Sequence, residues 1–333
     1  MKPAGSRSVG LVGAGFIGEV HAKAWRALGV PLKICEEDPG RSARLAGQLG
    51  AGQASWEELL DDPEVATIDL CLPTDLHRRF AEQALARGKH VFCEKPVALR
   101  TEDAAAMEQA ARSAGKLLGI GHVLHFWPAY RFAHQLASSG RYGAPLSLSA
   151  RRLGTAVTWS AGNWMQDPAR SGGALFDLHI HDLDFALWIF GAPTEVGAAG
   201  RRSSSGAWDA VNSLLRFGER GCANLEGSLL LPPSFPFTMD FRLDLEGASL
   251  LYRFQAGANL GGASTEELVL YPKEGAAEPQ VIPEGDPYLL ELQSFLAAQS
   301  GPGEVVTAAE AGLALQVAQE LRAALERGGG AMG

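Results

Sequence analysis

The chain has 333 residues, 46% of them hydrophobic and 20% charged, with a formal net charge of −9. That length suits two domains rather than one core, and the composition is that of a soluble globular chain. The acidic balance argues against nucleic acid or an anionic membrane as the main partner, though not against an anionic cofactor held by backbone amides.

The first run, SVGLVGAGFIGEVHAKAWRALG, opens as a short apolar strand and then places glycines at 13, 15 and 18. Ile17, Val20, His21, Ala24, Trp25 and Leu28 follow at helical spacing, and Gly29 ends the pattern. G-x-G-x-x-G therefore sits between a strand and a helix, the context that gives the motif meaning. Gly13 permits the tight turn, Gly15 lets a pyrophosphate approach the backbone, and Gly18 allows the helix to pack close to the strand. The helix start adds amides and a partial positive charge for phosphate, which makes Gly13, Gly15, Phe16, Ile17 and Gly18 the candidate phosphate-contacting set. The next strand, LKIC, ends in Glu36 and Glu37, and Glu36 stands where a carboxylate accepts hydrogen bonds from an adenosine ribose. No Lys or Arg follows until Arg41, so a 2′-phosphate meets two carboxylates, which favours NAD over NADP.

ATIDLCLP (66–73) reads as a strand buried on both faces, followed by a helix through Gly88. KHVFCEKP (89–96) is another strand, 101–115 another helix with Thr101 as a cap, and KLLGIGHV (116–123) a further strand. Strand–helix alternation of this length implies a parallel sheet, and ligands bind beyond its strand carboxyl ends. Pro73, Thr74, His77, Glu94 and Lys95 fall at such ends, as does His122, a candidate substrate contact.

From about 145 the rhythm changes to longer alternating strands, PLSLSARRLG, EVGAAGRR, DAVNSLLRF, GCANLEGSLLL, FTMDFRLDLEG and ASLLYRF. RFGERGCA and LEGAS read as hairpin turns, so this sheet is mostly antiparallel. Helical patterns at 127–139, 171–190, 287–299 and 307–327 accompany it, and RGGGAMG reads as a frayed tail. The expected division is 1–125 and 126–333. Cys35, Cys71, Cys93 and Cys222 show neither disulfide-framework nor zinc spacing. Lys2 and Arg7 ahead of an apolar run imitate a signal peptide, but Glu19, His21 and Lys23 interrupt it; with no long apolar span, a cytoplasmic protein is expected.

The octet DLHIHDLD (177–184) concentrates acids and imidazoles in an apolar neighbourhood. On one continuous helix, Asp177 and His181 share a face with Asp184 nearby, whereas His179 and Asp182 point elsewhere. A helical Asp/His pair supplies only two of the ligands that zinc needs, so no metal is expected. Trp164, just upstream, is a candidate pocket wall, its aromatic face suited to substrate C–H groups.

GLVGAGFIGEVHAKAW, LPTDLH, HVFCEKP and SGGALFDLHIHDLDFALWIFG, in this order, resemble the Gfo/Idh/MocA family, the glucose–fructose oxidoreductase and inositol dehydrogenase group. The resemblance implies a Rossmann domain followed by an α/β domain whose open, mostly antiparallel sheet forms a homodimer or homotetramer interface. It also implies hydride transfer between a nicotinamide and a secondary alcohol or ketone of a sugar or cyclic polyol. Lys95 then contacts the reacting hydroxyl, while Asp177 and His181 line the substrate pocket. Thr74 stands where the family often has Asn, and His125 where many members have Arg. An NAD-dependent glycoside hydrolase and a regulator without chemistry are the rival expectations.

Overall fold

A computed structural model describes residues 8–158, 160–257 and 262–328. Lys2, Arg7 and the glycine tail from 329 lie outside these residues. The chain divides into two units: one takes the chain through Phe126, Ser160–Gly162 and Gly285–Gly312; the other takes Trp127 to 158, 163–284 and the chain from Leu313 onward.

In the first unit, β1 (Ser8–Val12), β2 (Leu32–Cys35), β3 (Gly52–Gln53), β4 (Val65–Leu70), β5 (His90–Glu94) and β6 (Leu118–Gly121) form one sheet in the order β3-β2-β1-β4-β5-β6. Every pairing is parallel. The central strands β1 and β4 are buried apart from half-buried Ala66, which is why they read as continuous apolar runs. The helices α1 (Phe16–Ala27), α2 (Pro39–Leu49), α3 (Trp56–Asp61), α4 (His77–Ala86) and α5 (Thr101–Ala114) connect them.

Two of these helices are absent from the sequence reading although each carries its own start signal. Asp38 accepts from the Gly40 and Arg41 amides with Pro39 at the first helical position, and Ser55 with Glu58 forms a complete capping box. Thr101, expected to cap α5, is instead its first helical residue; Arg100 precedes it in extended conformation, without a side-chain cap.

In the second unit, α6 (Pro128–Ser139) precedes β7 (Pro145–Thr155), and α7 (Pro168–Ser171), α8 (Ala174–Asp177) and α9 (His179–Phe190) follow. Then come β8 (Glu195–Arg202), β9 (Trp208–Arg216), β10 (Cys222–Leu231), β11 (Phe237–Leu245), β12 (Ala248–Ala256), β13 (Thr265–Pro272) and β14 (Glu278–Pro279). The sheet order is β14-β13-β12-β11-β7-β10-β9-β8, antiparallel except for β7 beside β10. Strands such as β9 and β11 alternate buried and exposed residues, so one face carries the core and the other stays open. Arg151 and Asp240 face each other in register on the open side, joined by a two-pronged ion pair. Tyr130, Phe185, Phe241 and Tyr252 pack ring against ring on the buried side. The edge strands β13 and β14 are absent from the sequence reading, their residues being largely polar or exposed.

The chain then returns to the first unit. Leu292 and Phe295 of α10 (Pro287–Ala298) join the core formed by Val9, Leu11, Trp25 and Phe92. A Cβ at Gly119 would lie 2.8 Å from the Phe295 ring, so glycine makes room for it. The last helix, α11 (Ala308–Gly328), starts in the first unit and belongs to the second from Leu313. Among the described residues no helix is long and apolar enough to cross a membrane.

Candidate functional site

In the first unit the candidate residues gather at the carboxyl edge of the sheet, on both sides of the point where β1 separates β2 from β4. Gly13 adopts φ +97°, and an added Cβ would lie 2.3 Å from the Cys71 carbonyl oxygen. A Cβ on Gly18 would lie 2.1 Å from the Gly13 carbonyl oxygen, whereas one on Gly15 would meet nothing within 4 Å. The turn is therefore tight beneath and open at Gly15, where α1 begins. Phe16 is 46% exposed beside that opening, and Ile17 packs against the core. Open backbone at a helix start, with no side chain above it, fits a dinucleotide pyrophosphate.

The Glu36 side chain folds back to accept a hydrogen bond from the Ala14 amide at 2.7 Å. Its other oxygen accepts from the Asp38 amide at 2.9 Å and from Arg41 Nη2 at 2.7 Å. Burial pushes this carboxyl up, but the Arg41 guanidinium and the two amides outweigh it, leaving the group below the ordinary range. A carboxylate has room for about four hydrogen bonds, so Glu36 keeps acceptor capacity for a ribose hydroxyl. The sequence reading counts Arg41 as distant; the fold brings it onto Glu36, which narrows the electrostatic argument against a 2′-phosphate.

Pro73 and buried Thr74 lead into α4. His77 is fully buried, its Nδ1 3.0 Å from the Pro96 carbonyl oxygen and its Nε2 2.9 Å from the Leu72 carbonyl oxygen. It thus ties the loop after β4 to the loop after β5. Lys95 is half-buried, its peptide to Pro96 is cis, and its amide donates to Glu94 Oε2 at 3.0 Å. His122 follows β6 and is buried.

A polar network absent from the sequence reading lies beneath this edge. His21 Nδ1 is 3.0 Å from Asp69 Oδ2, Trp25 Nε1 donates to the same oxygen at 2.6 Å, and Cys71 Sγ is 3.3 Å from His21 Nδ1. The donor atoms of His21, Asp69 and Cys71 lie within 4.8 Å of one another, a spacing that could also hold a metal ion. Burial raises the Cys71 thiol well above its ordinary range, however, which disfavours the thiolate that a metal needs. The sequence signal was Asp69 itself: a carboxylate inside a strand buried on both faces demands a partner.

In the second unit the octet helix is not continuous. Gly172 and Gly173 take φ +75° and +72°, α8 lasts one turn, and α9 restarts after Leu178. Tertiary bonds hold the restart: the Ala174 amide donates to Asp209 Oδ1 at 2.9 Å, and His179 Nε2 is 2.8 Å from Ser213 Oγ. Asp177 and His181 therefore lie on either side of the break, both half-buried, while His179, Asp182 and Asp184 are buried. Arg152 Nε and Nη2 donate to the two Asp182 oxygens at 3.0 and 3.1 Å. His179 and Asp182 thus serve the interior. Trp164 lies half-buried in the turn Ala161–Gln166, beside Asn163 at φ +53°.

Residues 7–122 match the family model described as "Oxidoreductase family, NAD-binding Rossmann fold", and residues 130–249 match the Gfo/Idh/MocA C-terminal domain. Levoglucosan dehydrogenase of Pseudarthrobacter phenanthrenivorans is 30% identical over 231 residues, 62% of this chain but only 58% of that protein's length. scyllo-Inositol 2-dehydrogenase (NAD(+)) of Bacillus subtilis is 27% identical over 330 residues, covering 92% of this chain and 90% of that protein. Among solved structures, UDP-N-acetylglucosamine 3-dehydrogenase of Acidithiobacillus ferrooxidans superposes with a TM-score of 0.78 at 26% identity, covering 96% of this chain and 98% of the other.

Proposed function

The chain belongs to the Gfo/Idh/MocA oxidoreductase family, and from that premise we propose that it interconverts a secondary alcohol and ketone of a sugar or cyclic polyol using NAD(H). One observation supports this reading: a single sheet edge presents an open glycine turn, the Glu36 carboxylate folded back onto it, and Lys95. The names of the relatives, dehydrogenases of levoglucosan, scyllo-inositol and UDP-N-acetylglucosamine, support a sugar-like or polyol substrate.

Bound NAD supplies the hydride acceptor in the oxidative direction. The protein's part is to orient the carbon and to move the hydroxyl proton. Lys95 contacts the reacting hydroxyl and, as its neutral amine, is available to accept the proton that the hydroxyl loses. Asp177 and His181 act on the substrate, with His181 available as the second acid–base group and Asp177 orienting it. Glu36 reads the adenosine ribose and favours NAD over NADP. Four free cysteines support a reducing, cytoplasmic setting, and assembly into a homodimer or homotetramer would use the open sheet face.

A panel of sugars and polyols followed by NADH absorbance, with NADP in parallel, tests the reading. Lys95→Ala is expected to abolish turnover while NADH binding, followed by fluorescence, stays near wild type. Turnover retained in that variant refutes the assignment. Release of an aglycone without net NADH formation turns the reading to oxidation–elimination.

A further inference from the structure

Both ring nitrogens of His21 face carboxylates inside the first unit. Nδ1 is 3.0 and 3.2 Å from the two Asp69 oxygens, and Nε2 is 3.2 Å from Glu94 Oε1. The Nε2 contact lies in ion-pair range but off the hydrogen-bond direction. The imidazole and the Asp69 side chain are fully buried, and the Glu94 side chain is 8% exposed. A neutral Nδ1–H tautomer satisfies Asp69 but leaves the Glu94 carboxylate at 3.2 Å without a counter-charge, whereas the imidazolium offsets both.

The other groups around the ring do not carry its counter-charge. Trp25 donates to Asp69, the Phe92 and Tyr288 rings flank the imidazole at 5.7 and 6.0 Å, and Cys71 touches Nδ1. Burial alone pulls the His21 proton off, but the neighbouring Cys71 and Asp69 more than reverse this, leaving its pKa well above the ordinary value. Burial keeps the Cys71 thiol protonated, so the charge opposing the imidazolium at Nδ1 is that of Asp69, with Glu94 in ion-pair range of Nε2.

The position of this cluster gives it a consequence. His21 sits on α1, the helix whose start faces the phosphates, and Asp69 on β4; Glu94 ends β5 and receives the amide of Lys95 through Oε2 at 3.0 Å. A Cβ on Gly121 of β6 would lie 2.8 Å from Glu94 Oε1, so glycine there leaves the carboxylate its place. A continuous chain of contacts runs Asp69–His21–Glu94–Lys95.

We propose that His21 is a positioning residue of the reaction: a permanently protonated clamp between Asp69 and Glu94 that fixes the backbone of Lys95 and neutralises the carboxylate next to it. The functional half of this inference rests on the role given to Lys95 above; the protonation half does not. Without the clamp, Glu94 is an uncompensated carboxylate beside the proton-transfer group. It then favours that group's protonated form and loosens its placement.

The test begins with wild-type protein labelled with 15N-histidine, whose ring nitrogens are followed by NMR from pH 6 to 9. One of the eight histidines is expected to stay doubly protonated throughout. Its signal is assigned by its loss in His21→Gln or, should that variant not fold, by its shift in Asp69→Asn. A neutral His21 at pH 8 overturns the proposal without any measurement of turnover. In the kinetic arm, His21→Gln (with Asp69→Asn as the fallback) is expected to lower kcat about tenfold or more and to move the acidic limb of the kcat–pH profile upward. A folded variant with wild-type kcat and an unmoved profile overturns the positioning role. Should Lys95→Ala retain turnover while His21 proves to be an imidazolium, the functional reading falls and the clamp stands.

Discussion

Arg152→Met removes one half of a charge pair sealed inside the second unit. The Arg152 side chain is 5% exposed and that of Asp182 is 0% exposed, and two hydrogen bonds of 3.0 and 3.1 Å join them. Burial raises the Asp182 carboxyl above its ordinary value even with the guanidinium against it, while burial opposes, and Asp182 favours, the charge on Arg152. The pair is thus expensive to bury and more expensive to break. Loss of one partner leaves a stranded charge at a cost of about 3–5 kcal/mol, or roughly 10 °C in Tm for a unit of this size. Asp182→Leu strands Arg152 and costs a similar amount. The double variant Arg152→Met/Asp182→Leu removes both charges and should recover most of the loss, because the cost is the unpaired charge rather than a missing attraction. The Arg152→Met deficit should also shrink as pH falls and Asp182 protonates. Thermal unfolding of the three variants at pH 7 and pH 5 is the assay. An Arg152→Met Tm within about 2 °C of wild type, or a double variant as unstable as the two singles summed, refutes the reasoning.

Further consequences concern pH and the glycine turn. Full burial, helped by Arg152, pushes the His179 imidazole down to about 4, against about 6.5 in an unfolded chain. The unfolded chain therefore takes up the proton first as pH falls, and this contribution, complete above pH 6.5, is lost toward pH 4. It amounts to about 2 kcal/mol between pH 7 and pH 5, and the pH slope of urea unfolding should flatten by that much in His179→Gln. Gly13→Ala forces a methyl to 2.3 Å from a backbone oxygen at φ +97°, so NADH binding should weaken by at least tenfold; Gly15→Ala, with open space, should leave Tm unchanged and raise only the NADH Kd.

Much of the first unit was legible because its strands are buried on both faces and its helices end at glycines such as Gly29, Gly88 and Gly115. The glycine turn, Glu36 and the Glu94-Lys95-Pro96 strand end were legible as local patterns with their own chemistry. What escaped was tertiary. The break at Leu178 leaves no mark in a periodicity that runs straight through it; the bonds from Asp209 and Ser213 hold it. Arg41 lies five residues from Glu36, and its return onto that carboxylate depends on the start of α2. Asp177 and His181 are half-buried, and Asp182 and Asp184 are buried, but with α8 and α9 separate at Leu178 the spacing of one continuous helix no longer places them.

The return of α10 to the first unit bears on how the protein is made. On the ribosome, residues through 126 emerge first, yet the core around Trp25 and Phe92 lacks Leu292 and Phe295 until roughly 170 more residues have been added. At ordinary rates of synthesis that is a wait of about ten to thirty seconds, during which the socket at Gly119 that receives Phe295 lies open to water or to another chain. A nascent first unit is therefore a natural client for chaperones, and a stop codon before residue 287 should yield an aggregating fragment rather than a free-standing nucleotide-binding domain.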